Sequence, residues 1–101
     1  MLNISKVKNN DQLSVSLEGA LDRNSAPLLD EELKASLDGV NKLIFDFKNL
    51  EYISSAGLRA ILIAKKQLNS DNAVVIKGAS REVKEVFDVT GFSKILTISW
   101  L

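Results

Sequence analysis

The feature that most limits the fold is a hydrophobic period that changes repeatedly along the chain. Leu13, Val15 and Leu17 alternate with Ser14 and Ser16, the period of two that buries one face of a strand. Leu29, Leu33 and Leu37 then recur every fourth residue, the buried stripe of a helix. Leu43, Ile44, Phe45 and Phe47 return to strand, interrupted only by Asp46, and Leu58, Ile61, Leu62 and Leu68 return to helix. The β-branched run Ala73 to Lys77 is a further strand. Val83, Val86 and Phe87 line a third helix, and residues 94–100, KILTISW, form a closing strand. Before all of these, Leu2 and Ile4 alternate with polar neighbours ahead of the turn residues Asn9, Asn10 and Asp11, which reads as a hairpin. The order is β-β-α-β-α-β-α-β. Such alternation implies an α/β fold with a largely parallel sheet, an N-terminal hairpin and helices packed on it. With no linker, low-complexity tract or repeat among the 101 residues, a single domain over residues 1–101 is expected.

Local signals punctuate these elements. Ser25 suits an N-cap with Pro27 in the first turn, and Asp30, Glu31 and Glu32 come early, where the helix dipole favours acids. Gly39 closes that helix as a left-handed cap. The near-continuous run KLIFDF predicts a strand covered on both faces, with Asp46 at a strand end where its carboxylate meets loop N–H groups. KNLEYIS is then a loop tucking Leu50 and Ile53 inward. The second helix runs from Ser55 to near Asn69, and Ala60, Ile63 and Ala64 make its other side apolar, so its first half should pack deeply. Ser80 caps the third helix, Gly91 ends it, and Phe92 folds back as an apolar lid. Gly19 allows close approach or an unusual dihedral where the second strand ends.

Composition removes much chemistry. Cysteine and histidine are both absent, which excludes disulfides, zinc ribbons, thiol nucleophiles and the imidazole base of a Ser-His-Asp arrangement. Neither a cofactor nor a metal is expected, and no residue is assigned a catalytic role. Thirteen basic residues balance thirteen acidic ones, so general attraction to nucleic-acid backbones is not expected. No run approaches the ~18 apolar residues that span a bilayer, and the opening residues lack a signal peptide's apolar stretch. A cytoplasmic monomer without membrane contact is the expectation.

One stretch carries a functional signal: EYISSAGLRAIL, residues 51–62. Two serines stand at a helix entry, and either Ser54 or Ser55 can cap it. Gly57 lets the helix start lie close against another backbone. Together with LEGALD, LIFDFKNLEYISSAGL and VTGFSKIL, the chain resembles, over its whole length, the STAS domain of anti-sigma factor antagonists. In that family the second helix opens with an Asp-Ser-Ser-Gly-Leu-Gly type motif whose first serine is phosphorylated. Laid on this sequence, Ser54 takes the aspartate position and Ser55 the phosphorylated one. Ala56 takes the second serine, Gly57 and Leu58 match, and Arg59 replaces the last glycine. Gly19, Leu21 and Asp22 match the family's Gly-x-Leu-Asp.

The resemblance implies a switched binding module. Its unphosphorylated form would bind an anti-sigma factor serine kinase and so release a sigma factor or other client, with a phosphatase as a further partner. Ser55 would be the phosphorylated residue, with Ser54 the alternative. The implied partner-binding surface comprises Gly19, Leu21, Asp22, Arg23, Asn24, Ser54, Ser55, Ala56, Gly57, Leu58 and Arg59, extended by the exposed Lys65 and Lys66. Phosphorylation adds about −1.5 to −2 charge, which a helix N-terminus tolerates and a docked partner does not. Arg59, one turn beyond Ser55, either clamps that phosphate or is a solvated surface arginine. Asp22 either borders the partner surface or is an Asx-turn residue. STAS domains also serve as accessory or scaffold subunits of transport and small-ligand systems, and Ser54 in place of aspartate favours that alternative. Catalysis is not expected: Lys65, the candidate base for Ser55, lies about 15 Å along the helix.

Overall fold

Among the described residues, the changes of period become five strands and three helices in the expected order. The computed structural model describes residues 2–68 and 73–92 in full and 98–100 by backbone. The elements are β1 (Leu2–Asn9), β2 (Gln12–Leu21), α1 (Ala26–Ser36), β3 (Lys42–Ile53), α2 (Ser55–Gln67), β4 (Val74–Lys77), α3 (Arg81–Val89) and β5 (Ile98–Trp100). Residues 94–97 of the expected last strand, and Asn69 at the expected end of the second helix, lie outside the described residues. β1 and β2 form the antiparallel hairpin across a two-residue turn in which Asn10 has φ 60°, a conformation that asparagine tolerates. β2–β3, β3–β4 and β4–β5 are all parallel.

The strands lie in the sheet in sequence order, β1-β2-β3-β4-β5, and this decides where the helices go. Right-handed crossovers that always step in one direction leave every helix on the same face. Leu13, Val15 and Leu17 of β2, Leu43, Phe45 and Phe47 of β3, and Val74 and Ile76 of β4 share one buried cluster with Leu29, Leu58, Ile61 and Phe87 of the three helices. The expectation that β3 is covered on both faces is therefore corrected. Its other face carries the half-buried Ile44 and Asp46 beside the polar Ser14 and Ser16 of β2.

The expected KNLEYIS loop is also strand. β3 continues to Ile53, and its register with β2 slips between Ser16 and Glu18 and again between Gly19 and Ala20. Each slip inserts one extra residue into β3. Inward residues are consequently spaced Phe47, Leu50, Ile53, which is not a period of two and reads as a loop. Asp46 is mid-strand, not at a strand end. It accepts the Lys48 N–H at 3.0 Å, the first amide beyond Phe47 in the bulged segment.

α1 is held by its leucine stripe: Leu29, Leu33 and Leu37 are all buried, each contributing about 1.5–3 kcal/mol. The Asp30–Lys34 pair, 3.2 Å apart, adds only about 0.3–0.5 kcal/mol. No acid lies in the first turn, because the helix begins at Ala26 and Asp30 already belongs to the second turn. Gly39 is left-handed (φ 75°) but stands two residues beyond the C-cap Leu37. On α2, Ala60 and Ala64 are buried as expected, whereas Ile63 is 38% exposed. Ser80 caps α3 by accepting the Val83 N–H at 3.2 Å, and Phe92 packs half-buried against the core.

Candidate functional site

The site forms where β2 and β3 end side by side. The Ser54 N–H donates to the Leu21 carbonyl at 2.9 Å, which ties the Gly19–Asn24 segment to the start of α2. Ser54 is the N-cap: its backbone is extended, its carbonyl accepts the Leu58 N–H at 3.0 Å, and its Oγ accepts the Gly57 N–H at 3.4 Å. That side-chain bond is longer than the 2.7–3.2 Å usual for N–H···O, which places its worth toward the lower end of the capping range. Which of the two serines caps the helix is thus resolved by position. Ser55 is the first helical residue, is exposed, and its hydroxyl has no hydrogen bond among the described residues.

Gly57 explains how α2 can start so close to the sheet. A Cβ there would lie 2.7 Å from Leu21 Cγ and 3.1 Å from Ile53 Cγ1. The close approach is to side chains, not to another backbone as expected. Leu21, Gly57 and Leu58 are all buried. They form the floor beneath the site and expose little surface of their own.

Asp22 organises the other side of the site. Its Oδ1 accepts the Asn24 N–H at 2.9 Å and the Ser25 N–H at 3.0 Å, an Asx turn. The Ser25 amide bond is the main reason the Asp22 carboxyl is held below its ordinary value. Burial opposes that shift, and the Ser25 hydroxyl and Asn24 amide add to it. Ser25 occupies the N-cap position of α1 but makes no side-chain cap bond. Its hydroxyl instead donates to the Ala20 carbonyl at 2.8 Å and accepts the Asp22 N–H at 2.9 Å. The capping carbonyl is that of Asp22, which accepts the Ala26 N–H at 2.8 Å.

Arg23, Ala56 and Arg59 border one groove between α1 and α2, and Asn24 is exposed beside it in chain order. Gly19 (φ 102°) is not with them: it borders a polar concavity of about 580 Å³ with Glu18 and Lys48. Lys65 and Lys66 belong to the last turn of α2, remote from Ser55. The sequence reading missed Ala26, Pro27 and Asp30 as groove residues. The available signal was Ile63, an apolar residue four positions from Arg59 and hence on its face. Among the described residues no group of three acidic, cysteine or histidine side chains could hold a metal, and no helix is long and apolar enough to cross a membrane.

Residues 3–100 match the family model of the STAS domain. The chain belongs to the STAS-domain family. This STAS protein is 36% identical over 89 residues to BtrV of Bordetella bronchiseptica, whose name is that of an anti-sigma factor antagonist, with 86% of this chain and 77% of that one covered. Its fold is similar to an anti-sigma factor antagonist from Mycobacterium paratuberculosis, with TM-score 0.84 at 19% identity over 98% of this chain and 86% of that one. It is also similar to the Bacillus cell fate determinant SpoIIAA in its phosphorylated form, with TM-score 0.73 at 16% identity over 98% and 91% of the two chains.

Proposed function

We propose that this chain is an anti-sigma factor antagonist: a binding protein switched by phosphorylation of Ser55. The unphosphorylated form binds an anti-sigma factor serine kinase and frees that kinase's client, a sigma factor or another regulator. A phosphatase resets the switch. The protein is a kinase substrate and not a catalyst, and it works as a monomer in the cytoplasm. The observation that carries this reading is the division of labour between the two serines. Ser54 uses its hydroxyl on the Gly57 amide, while Ser55 offers an exposed hydroxyl with no partner among the described residues. A phosphoryl group there adds about −1.5 to −2 charge beside free helix N–H groups. A docked partner meets it as a like-charge or desolvation cost of several kcal/mol, a change of about 10³ in affinity. The names of the relatives and the phosphorylated Bacillus structure support the same reading.

The accessory-subunit alternative drew on Ser54 standing where the family has aspartate. Ser54 keeps the N-cap position, which supports the switch reading, and labelling of Ser55 separates the two. The test is incubation with ATP and a serine kinase of the anti-sigma type from the same genome. Mass gain of one phosphoryl group on the peptide containing Ser55, and its loss in Ser55→Ala, is expected. An unlabelled parent chain, or Ser55→Asp and Ser55→Ala variants that both bind the kinase like the parent, overturns the proposal.

A further inference from the structure

The groove between α1 and α2 has a chemical character that the switch alone does not require. Its walls are apolar, from Ala26 and Pro27 on one helix and Ala56, Ala60 and Ile63 on the other. Arg23, Asp30 and Arg59 line it as well. The Asp30 carboxylate is already paired with Lys34 on its own helix at 3.2 Å. Arg23 and Arg59 are exposed, and neither has an ion pair or hydrogen bond among the described residues. The result is a small, largely apolar slot lined also by two guanidinium groups that make no ion pair among the described residues. At about 230 Å³ it is smaller than the ~300–1,000 Å³ typical of small-molecule sites, and its size suits one or two side chains of a protein.

We infer that this groove docks a segment of the protein partner that carries a carboxylate next to a small aliphatic side chain, with Arg59 and Arg23 receiving the carboxylate. The inference rests on the proposed switch and deepens it by stating what the switch acts on. Arg59 lies one turn beyond Ser55 on the same helix face. A phosphoryl group on Ser55 and a carboxylate of the partner therefore compete for one guanidinium. Phosphorylation removes the partner's counter-charge and adds a repelling dianion in the same place. The aliphatic neighbour of the carboxylate fills the slot against Ile63, which is 38% exposed.

Two measurements test it. In the chain phosphorylated on Ser55, the phosphate is titrated by ³¹P NMR, where a free phosphoserine has its second pKa near ~6. Arg59→Gln is expected to raise that value by about half a unit relative to the parent, as loss of a nearby opposite charge should. Lys42→Gln, at the far end of β3, leaves it unchanged. In the second measurement, the serine kinase that labels Ser55 is titrated calorimetrically with the unphosphorylated chain. Arg59→Glu and Arg23→Glu are each expected to weaken binding about tenfold or more, and Lys42→Glu to leave it within about twofold. Both arginines are exposed and unpaired among the described residues, so charge reversal leaves the fold intact, and Arg59→Gln and Arg23→Gln repeat the test without adding an acid. Identical phosphate titration in parent and Arg59→Gln, or undiminished kinase affinity in both reversals, overturns the inference. A kinase that labels Ser55 yet ignores the reversals sinks the groove and spares the switch. Absence of Ser55 labelling sinks the switch, and the groove inference with it.

Discussion

Gly57 sits so tightly on Leu21 that a Cβ at residue 57 would lie 2.7 Å from Leu21 Cγ. The contact joins the two segments that the family resemblance singled out, the end of β2 and the start of α2. Leu21 is fully buried and cannot swing away. Gly57→Ala should therefore cost about 1–3 kcal/mol of overpacking, offset by about 1 kcal/mol of helix propensity. A lower urea midpoint with an unchanged m-value is expected. Adding Gly57→Ala to Leu21→Ala should cost less than adding it to the parent, because the two closest contacts are gone, only the one to Ile53 Cγ1 at 3.1 Å remains, and the two sites are coupled. Strictly additive effects would show that the contact is not what constrains residue 57.

The two adjacent serines should differ in stability when each is replaced. Ser54→Ala loses the side-chain cap, about 0.5–2 kcal/mol, toward the lower end because the bond is 3.4 Å long. Ser54→Asp keeps the cap and gains from the helix dipole. Ser55→Ala should change stability by less than about 0.5 kcal/mol, since its exposed hydroxyl bonds nothing among the described residues. Urea denaturation of the three variants checks this, and a larger loss for Ser55→Ala than for Ser54→Ala would reverse the assignment of cap and free hydroxyl.

Asp22 should make the fold acid-sensitive in a defined direction. Its carboxyl is held below the ordinary value of 3.8, chiefly by the Ser25 amide. A depressed carboxyl stabilises the fold above its unfolded pKa, and that stability is lost as pH falls through the folded value. Asp22→Asn keeps an acceptor for the Asx turn but removes the charge. The stability difference between parent and Asp22→Asn should be constant above about pH 5 and shrink below 3.8. Urea midpoints measured down to about pH 2.5 read it out, and parallel curves over the whole range would contradict the assigned role.

Two left-handed glycines allow backbone strain to be separated from crowding. Gly39 has φ 75° with nothing within 4 Å of a would-be Cβ, whereas Gly78 has φ 73° and a would-be Cβ 3.1 Å from both Lys48 Cα and Lys48 N. Alanine at either position meets the left-handed penalty of about 1–2 kcal/mol. Only Gly78→Ala also presses on backbone that cannot rotate aside. It should be the more destabilising of the pair in thermal and urea unfolding, and equal costs would show that Lys48 yields freely.

Much of this protein is written locally. The order of strands and helices, the leucine stripe of α1 and the Ser80 cap each depend on residues within one or two turns of one another, so periodicity and side-chain chemistry suffice to find them. The Asp22 Asx turn is equally local and was one of two readings open in the sequence. Other features needed distant partners. Which serine caps α2 depends on where β3 ends, and that is set by the Ser54–Leu21 bond to another strand. The bulges in β3 break the period of two because β2 offers fewer residues over the same span. The sheet face opposite the three helices follows from strand order, a property of the whole sheet. The groove with Arg23, Arg59 and Ile63 exists only because two helices pack side by side. Sequence alone determined what each segment becomes, since that choice is made by near neighbours; the tertiary structure decided which surfaces meet and which stay open, since those choices are made between segments.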